Sequence, residues 1–232
     1  MTFFPCKSTV YAYVATTRNF TIQSMPRSRS LTHSDLAEAA LRVVDRDGLP
    51  ALSMRTVAAE LGVGAMSLYR YVEDREAMER LVVDEVLASV ETETGQRLSW
   101  DRQIARLMER IRDAVGAHPS VVPLLLLHRH DSQAVKRCAE AFLHRLTEGG
   151  FTGRQRVIAL RTLVSYLSGA LQAQYVAPLD GRGTDAMADA SHGEYPLLSA
   201  TARVARRVTP DEEFRRGTEI LLRGLASVLE EK

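Results

Sequence analysis

The sequence predicts an all-α protein: a three-helix helix-turn-helix unit joined by a long helix to a helical bundle. Three features lead there. Apolar residues recur at intervals of three and four along nearly the whole chain, as the buried stripe of an amphipathic helix requires. Helix signals punctuate these stripes, with Ser, Thr or Asp ahead of them and Gly or Pro behind. Between Ser53 and Arg75, two helices too short to stand alone flank the turn Gly62-Val63-Gly64. No strand alternation, internal repeat or low-complexity tract competes with this reading.

Composition bounds the rest. At 232 residues the chain holds one large domain or two small ones, with ordinary globular shares of 45% hydrophobic and 25% charged residues. The formal net charge is only +1, and residues 27–75 hold seven Arg against seven Asp or Glu. Any nucleic-acid footprint must therefore come from where arginines stand rather than from bulk charge. Cys6 and Cys138 are far apart and form no framework, which fits reduced thiols in a cytoplasmic protein. The longest apolar run, residues 121–127, is too short to span a bilayer and reads as core.

Residues 1–24 carry Phe3, Phe4, Phe20, Tyr11 and Tyr13 but no acidic residue, and no apolar core of signal-peptide length. They read as a disordered extension, or as upstream sequence from a mis-called start with Met25 as the true one. Met25–Ser30 is a short basic arm of the kind that lies along phosphates or in a minor groove. A solvated tail is the alternative. Residues 32–47 form an amphipathic helix capped by Thr32 or Ser34, with Leu36, Ala39, Ala40, Val43 and Val44 on its apolar face. Gly48-Leu49-Pro50 stops it.

Ser53 then caps a short helix whose buried face is Val57, Ala58 and Leu61, and Gly62 suits the left-handed position that ends it. Val63 plugs the gap before a second short helix anchored by Leu68 and Val72. In such a unit the second helix enters the DNA major groove. Asp74 caps a strut helix expected over 74–94, which divides the chain into a helix-turn-helix domain (25–73) and a second half (95–232). That half is helical throughout: 99–115 with Trp100, Ile104, Leu107 and Ile111; the apolar segment 120–127; 132–148, stopped by Gly149-Gly150; and a long helix over 152–176. Residues 178–194, with Pro178, Gly181, Gly183 and Gly193, read as a loop. A short helix near 196–206 and a last one from 211 to 230 complete the chain.

Residues 32–86 resemble the TetR family of bacterial transcription regulators. The points of likeness are the break from Gly48 to Leu52, Ser53-Met54-Arg55, Ala58-Ala59-Glu60-Leu61-Gly62-Val63, Ser67-Leu68-Tyr69-Arg70-Tyr71-Val72 and Asp74-Arg75-Glu76-Ala77-Met78. Residues 99–230 look like the family's ligand-binding and dimerisation half in helix order. The resemblance implies a homodimer formed through residues 152–176 and 211–230, binding a double-stranded palindromic operator with half-sites roughly 34–36 Å apart or a multiple of that. It also implies an unknown small-molecule effector that tilts the strut and releases DNA, hence a repressor, and it implies no membrane contact and no cofactor.

Carried onto this chain, the family's pattern places Ser53, Arg55, Ala65, Met66, Ser67, Tyr69, Arg70, Tyr71 and Arg75 at the DNA. Arg55 suits a base edge or phosphate, Ala65 and Met66 thymine methyls, Ser67 a short hydrogen bond, and Tyr69, Tyr71 and Arg75 the backbone. For the pocket, the candidates are His118, His128, Cys138, Phe142, Tyr166 and Gln172. The tetracycline-binding members hold a magnesium–drug complex with a His after the strut and another near the end of the apolar helix. Here no His follows the strut and the second position is Leu125, which argues against tetracycline and magnesium. Two competing classes are compatible with the residues. His128-x-His130-Asp131 could hold zinc or iron in a helical enzyme, but no second cluster completes a site and no nucleophile elbow or phosphate loop is present. A dimerisation module with vestigial DNA binding is the other.

Overall fold

The computed structural model describes residues 31–93, 98–178, 181–190 and 194–230. The expectations for residues 1–24, for the basic arm 25–30 and for Cys6 lie outside them. Among the described residues every regular element is helical.

Helix α1 (His33–Asp47) is capped by Thr32 rather than Ser34. The Thr32 hydroxyl accepts from the Asp35 amide at 3.1 Å while the Asp35 carboxylate accepts from the Thr32 amide at 2.9 Å, satisfying two donors at once. All five apolar residues expected on its inner face are buried. Gly48, at φ 80°, turns the chain into a tight 3-10 turn at Leu49–Ala51, and α2 (Met54–Glu60) and α3 (Ala65–Leu68) follow. Leu52, Val57, Ala58, Leu68 and Val72 are buried beneath them.

Helix α4 (Arg75–Ala88) packs along α1 and then reaches α5 (Trp100–Gly116), α6 (Val122–Leu127) and α7 (Gln133–Glu148). It is shorter than the strut expected over 74–94. Ser89 caps it, and the carbonyls of Glu91 and Glu93 accept from the Arg110 guanidinium at 2.8 and 2.6 Å while that of Thr92 accepts from Arg145 at 3.0 Å. Arginines of α5 and α7 thus take the carbonyls that a continuing helix would have used.

Helices α8 (Gly153–Tyr175) and α11 (Pro210–Glu230) run where the sequence places its two long helices. Between them, the stretch read as a loop holds α9 (Arg182–Ala188), which packs on α10 (Pro196–Ala205). The missed helix is held from outside: the Ala188 carbonyl accepts from the Ser199 hydroxyl at 3.1 Å, and Arg206 pairs with Asp185 at 2.8 Å. Two glycines hid its weak local signal, and tertiary contacts supplied the rest. A single hydrophobic cluster runs from Leu36 in α1 to Leu225 in α11. No helix among the described residues is long and apolar enough to cross a membrane.

Two features show how tightly the second half is packed. Arg112 interrupts the apolar face of α5 and is itself buried. Its guanidinium donates to Gln174 on α8 at 2.9 Å and to Asp211 on α11, and lies 4.9 Å from the centroid of the Phe214 ring. One cation therefore joins three helices. At the end of α7, a Cβ on Gly149 would sit 2.7–3.0 Å from three atoms of the Trp100 indole, which stacks edge-on against Phe151 at 5.2 Å. Gly149→Ala should therefore destabilise the fold by ~1–3 kcal/mol through overpacking. Chemical denaturation would measure this, and an unchanged midpoint would show that the indole can shift freely.

Candidate nucleic-acid interface and buried cavity

The helix-turn-helix is built by local rules. The Ser53 hydroxyl accepts from the Thr56 amide at 3.2 Å, and the Thr56 hydroxyl lies 2.9 Å from it and donates to the Ala51 carbonyl at 2.7 Å. This network fixes the angle at which α2 leaves the turn. Gly62, at φ 67°, closes α2, and the Val63 amide returns to the Ala58 carbonyl at 2.9 Å. Arg42 and Arg46 of α1 both pair with Glu60 of α2, at 3.1 and 2.8 Å. Hydrogen bonds from Arg46 and then Arg42 hold the Glu60 carboxyl below the usual carboxylate range. These cations are committed to joining helices.

What remains on the outer face is small. Met66 is 79% and Tyr69 51% exposed, Arg55 and Arg70 are exposed, and Ala65 and Ser67 are half-buried beside them. Arg55 and Arg70 form no ion pair with any described residue. Tyr71 is half-buried instead: its ring meets His33 edge-on at 5.9 Å, and its carbonyl lies 3.0 Å from His33 Nε2. Arg75 opens α4, with Asp74 capping the helix by accepting from the Ala77 amide at 2.7 Å. The Arg75 Nε donates to Glu79 Oε1 at 2.7 Å and its Nη2 to the Leu49 carbonyl at 3.3 Å, with about half of the side chain (49%) exposed.

Further along α4, a cavity of about 100 Å³ opens between α4, α5, α6, α7 and α8. Leu87, Ile111, Leu125, Leu126, Phe142 and Leu171 form most of its wall, and its polar groups are the Cys138 thiol, the Ser168 hydroxyl and Arg129. Burial pushes the Cys138 thiol up, so it stays protonated and acts as a small apolar group. A second, wider cleft of about 640 Å³ lies between α8, α9 and α11, lined by Tyr166, Gln174, Glu213 and Phe214 among others.

Two family models match this chain. The model of bacterial regulatory proteins of the tetR family covers residues 36–78, from the first turn of α1 to the start of α4, and the tetracyclin repressor-like C-terminal domain covers residues 93–229. The chain belongs to the TetR family. A transcriptional regulator of the helix-turn-helix type from Saccharopolyspora erythraea is 30% identical over 203 residues, covering 85% of each chain. The class A tetracycline repressor from Escherichia coli is 26% identical over 208 residues, covering 84% of this chain and 91% of its own. Among solved structures, the Streptomyces coelicolor TetR family protein ActR in complex with actinorhodin superposes with a TM-score of 0.74 at 25% identity, over 84% of this chain and 95% of that one. The chain is a DNA-binding transcriptional regulator.

Within this TetR fold the six pocket candidates do not converge. Cys138 and Phe142 line the smaller, apolar cavity. Tyr166 lines the wider cleft, where its hydroxyl donates to the Phe214 carbonyl at 3.0 Å. Gln172 lies on the exposed side of α8 and donates to the Ser168 carbonyl at 3.4 Å. His118 leaves the end of α5 and places Nδ1 2.8 Å from Asp45 Oδ2 on α1. His128 is buried at the end of α6, with Nε2 2.9 Å from Glu79 Oε2. The His128-x-His130-Asp131 cluster is split accordingly: His130 and Asp131 are exposed while His128 faces inwards. Among the described residues no three His, Cys, Asp or Glu side chains come together as a metal site.

Glu79, Asp84 and Arg129 were not singled out in the sequence. Asp84 accepts from the Ser132 hydroxyl at 2.5 Å and the Ala134 amide at 2.8 Å, and so pins the start of α7 to α4. Glu79 is nearly buried. Burial pushes its carboxyl up, but hydrogen bonds from Arg75 and His128 outweigh that and hold it ionised. A trace of both was visible: each is an acidic residue beside an apolar stripe of the strut. The partners, about fifty residues away in sequence, were not.

Proposed function

We propose that this regulator contacts its operator with Ser53, Arg55, Ala65, Met66, Ser67, Tyr69, Arg70, Tyr71 and Arg75, the last reaching the backbone from the start of α4, and that the apolar cavity beside Phe142 takes its effector. The protein is a ligand-responsive transcriptional repressor that acts as a homodimer on double-stranded DNA in the cytoplasm. The observation carrying the operator half is the pair Arg55 and Arg70, exposed cations that form no ion pair with any described residue, whereas Arg42 and Arg46 are spent on Glu60 and Asp47 and Arg75 on Glu79. The helix-turn-helix (25–73), the shared α4 and the bundle from 95 onwards are read as the DNA-binding domain, its strut, and the ligand-binding and dimerisation domain.

The cavity supports a largely apolar ligand. At about 100 Å³ it is well below the volume usual for drug-sized ligands, so a ligand of that size requires the walls to move apart. ActR, which resembles this chain over most of its length, binds actinorhodin. An apolar effector that widens the cavity and tilts α4 accounts for release, and it must favour the released geometry by a coupling of order 1–3 kcal/mol or more.

A duplex selected from a random pool by the wild-type protein tests the operator half. Arg55→Ala should weaken binding to that duplex by about tenfold or more, equivalent to ~1–3 kcal/mol for a bidentate contact to guanine, and relax preference at one position in each half-site. Wild-type affinity should also fall steeply with salt. If no duplex is enriched over the random pool, the reading fails.

A further inference from the structure

Arg75 and His128 grip the same carboxylate from opposite sides. Glu79 Oε1 accepts from Arg75 Nε at 2.7 Å, and Glu79 Oε2 lies 2.9 Å from His128 Nε2. An ionised carboxylate only accepts, so His128 carries its hydrogen on Nε2 in this contact. Residues 75 and 79 are one helical turn apart, which puts both on the same side of α4. His128 is fixed just as firmly. Its amide donates to the Leu124 carbonyl at 2.9 Å, and its carbonyl accepts from the Asp131 and Ser132 amides, both at 3.1 Å. It therefore marks the end of α6, whose Leu125 and Leu126 form part of the cavity wall.

We propose that Glu79 and His128 are positioning residues for the DNA-facing Arg75, with one carboxylate holding Arg75 on one oxygen and the end of the cavity-lining helix on the other. This rests on the reading of Arg75 as a backbone contact at the operator. Arg75 bonds Glu79 through Nε and the Leu49 carbonyl through Nη2, so Nη1 keeps its hydrogens for a phosphate. His128 acts on DNA only through this carboxylate. If it leaves, Glu79 keeps a single partner in a nearly buried place, and both the start of α4 and the aim of Arg75 change. A displaced α6 is thereby felt at the DNA face without any contact between effector and Arg75.

The test is a double-mutant cycle on operator affinity, using the duplex that the wild-type protein selects from a random pool. His128→Leu should weaken binding by about tenfold when Arg75 is present, and by less than about twofold in an Arg75→Ala background. His128→Gln, which restores an N–H at the position of Nε2, should return affinity to within about threefold of wild type. If His128→Leu does not fold, Glu79→Gln runs the same cycle with the same expected asymmetry. Equal losses in both backgrounds would show a merely structural role and overturn the proposal, as would no loss in either. Failure of the wild-type protein to select any duplex removes the regulator reading and this inference with it, whereas selection with additive variants removes only this inference.

Discussion

Ile220→Arg is expected to separate the dimer and to weaken operator binding by ~10²–10⁴-fold, the avidity that two linked half-sites supply. Ile220 is 69% exposed on α11, and Val228 stands two turns further along the same side, with Gly224 between them where no neighbour approaches. On α8, Val157 and Ile158 are 48% and 52% exposed. A ridge of two aliphatic side chains with a glycine at its centre suits close approach by another helix, which is why these faces are expected to form the four-helix contact of a homodimer. Placing a guanidinium at Ile220 would bury an unpaired charge in that contact. Sedimentation should show a folded monomer whose affinity for a single half-site is unchanged. A variant that remains dimeric would mean that subunits meet elsewhere.

Leu68→Ala is expected to cost ~2–5 kcal/mol of stability and to abolish specific DNA binding. Helix α3 spans only Ala65–Leu68, and Leu68 is its single buried residue, with no accessible surface at all. The amides of Tyr71 and Val72 both return to the Leu68 carbonyl, at 2.8 and 3.1 Å, so this residue also organises the turn into α4. A helix of one turn has no stability of its own, so its orientation depends on this one anchor. Denaturant unfolding reports the first effect and anisotropy with the selected duplex the second. Stability lost with affinity retained would show that Val72 alone can seat the recognition helix.

Helix-turn-helix geometry was legible because its determinants are local. Thr32 and Ser53 cap over three residues, Gly48 and Gly62 adopt the positive φ that their positions demand, and Leu36, Val57 and Leu68 follow a helical period. The cavity was legible only in part, through Cys138 and Phe142. By residue type His118 and His128 read as ligand-binding groups, yet they are held by Asp45 and Glu79, carboxylates 73 and 49 residues away. What lines the cavity is mostly aliphatic, and aliphatic residues on a helix look alike whether they face a void or another side chain.

By itself the sequence determined the helical class, the helix-turn-helix and its family, since capping, periodicity and turn chemistry act within a few residues. Tertiary structure alone decided where α4 ends, that residues 182–188 are helical, and that Arg75 is joined to the end of α6 through Glu79. Each of those depends on a polar group finding a partner far along the chain. The arginines that take the carbonyls of 91–93, the serine that holds Ala188, and the histidine that shares the Glu79 carboxylate are brought into reach only when the helices pack.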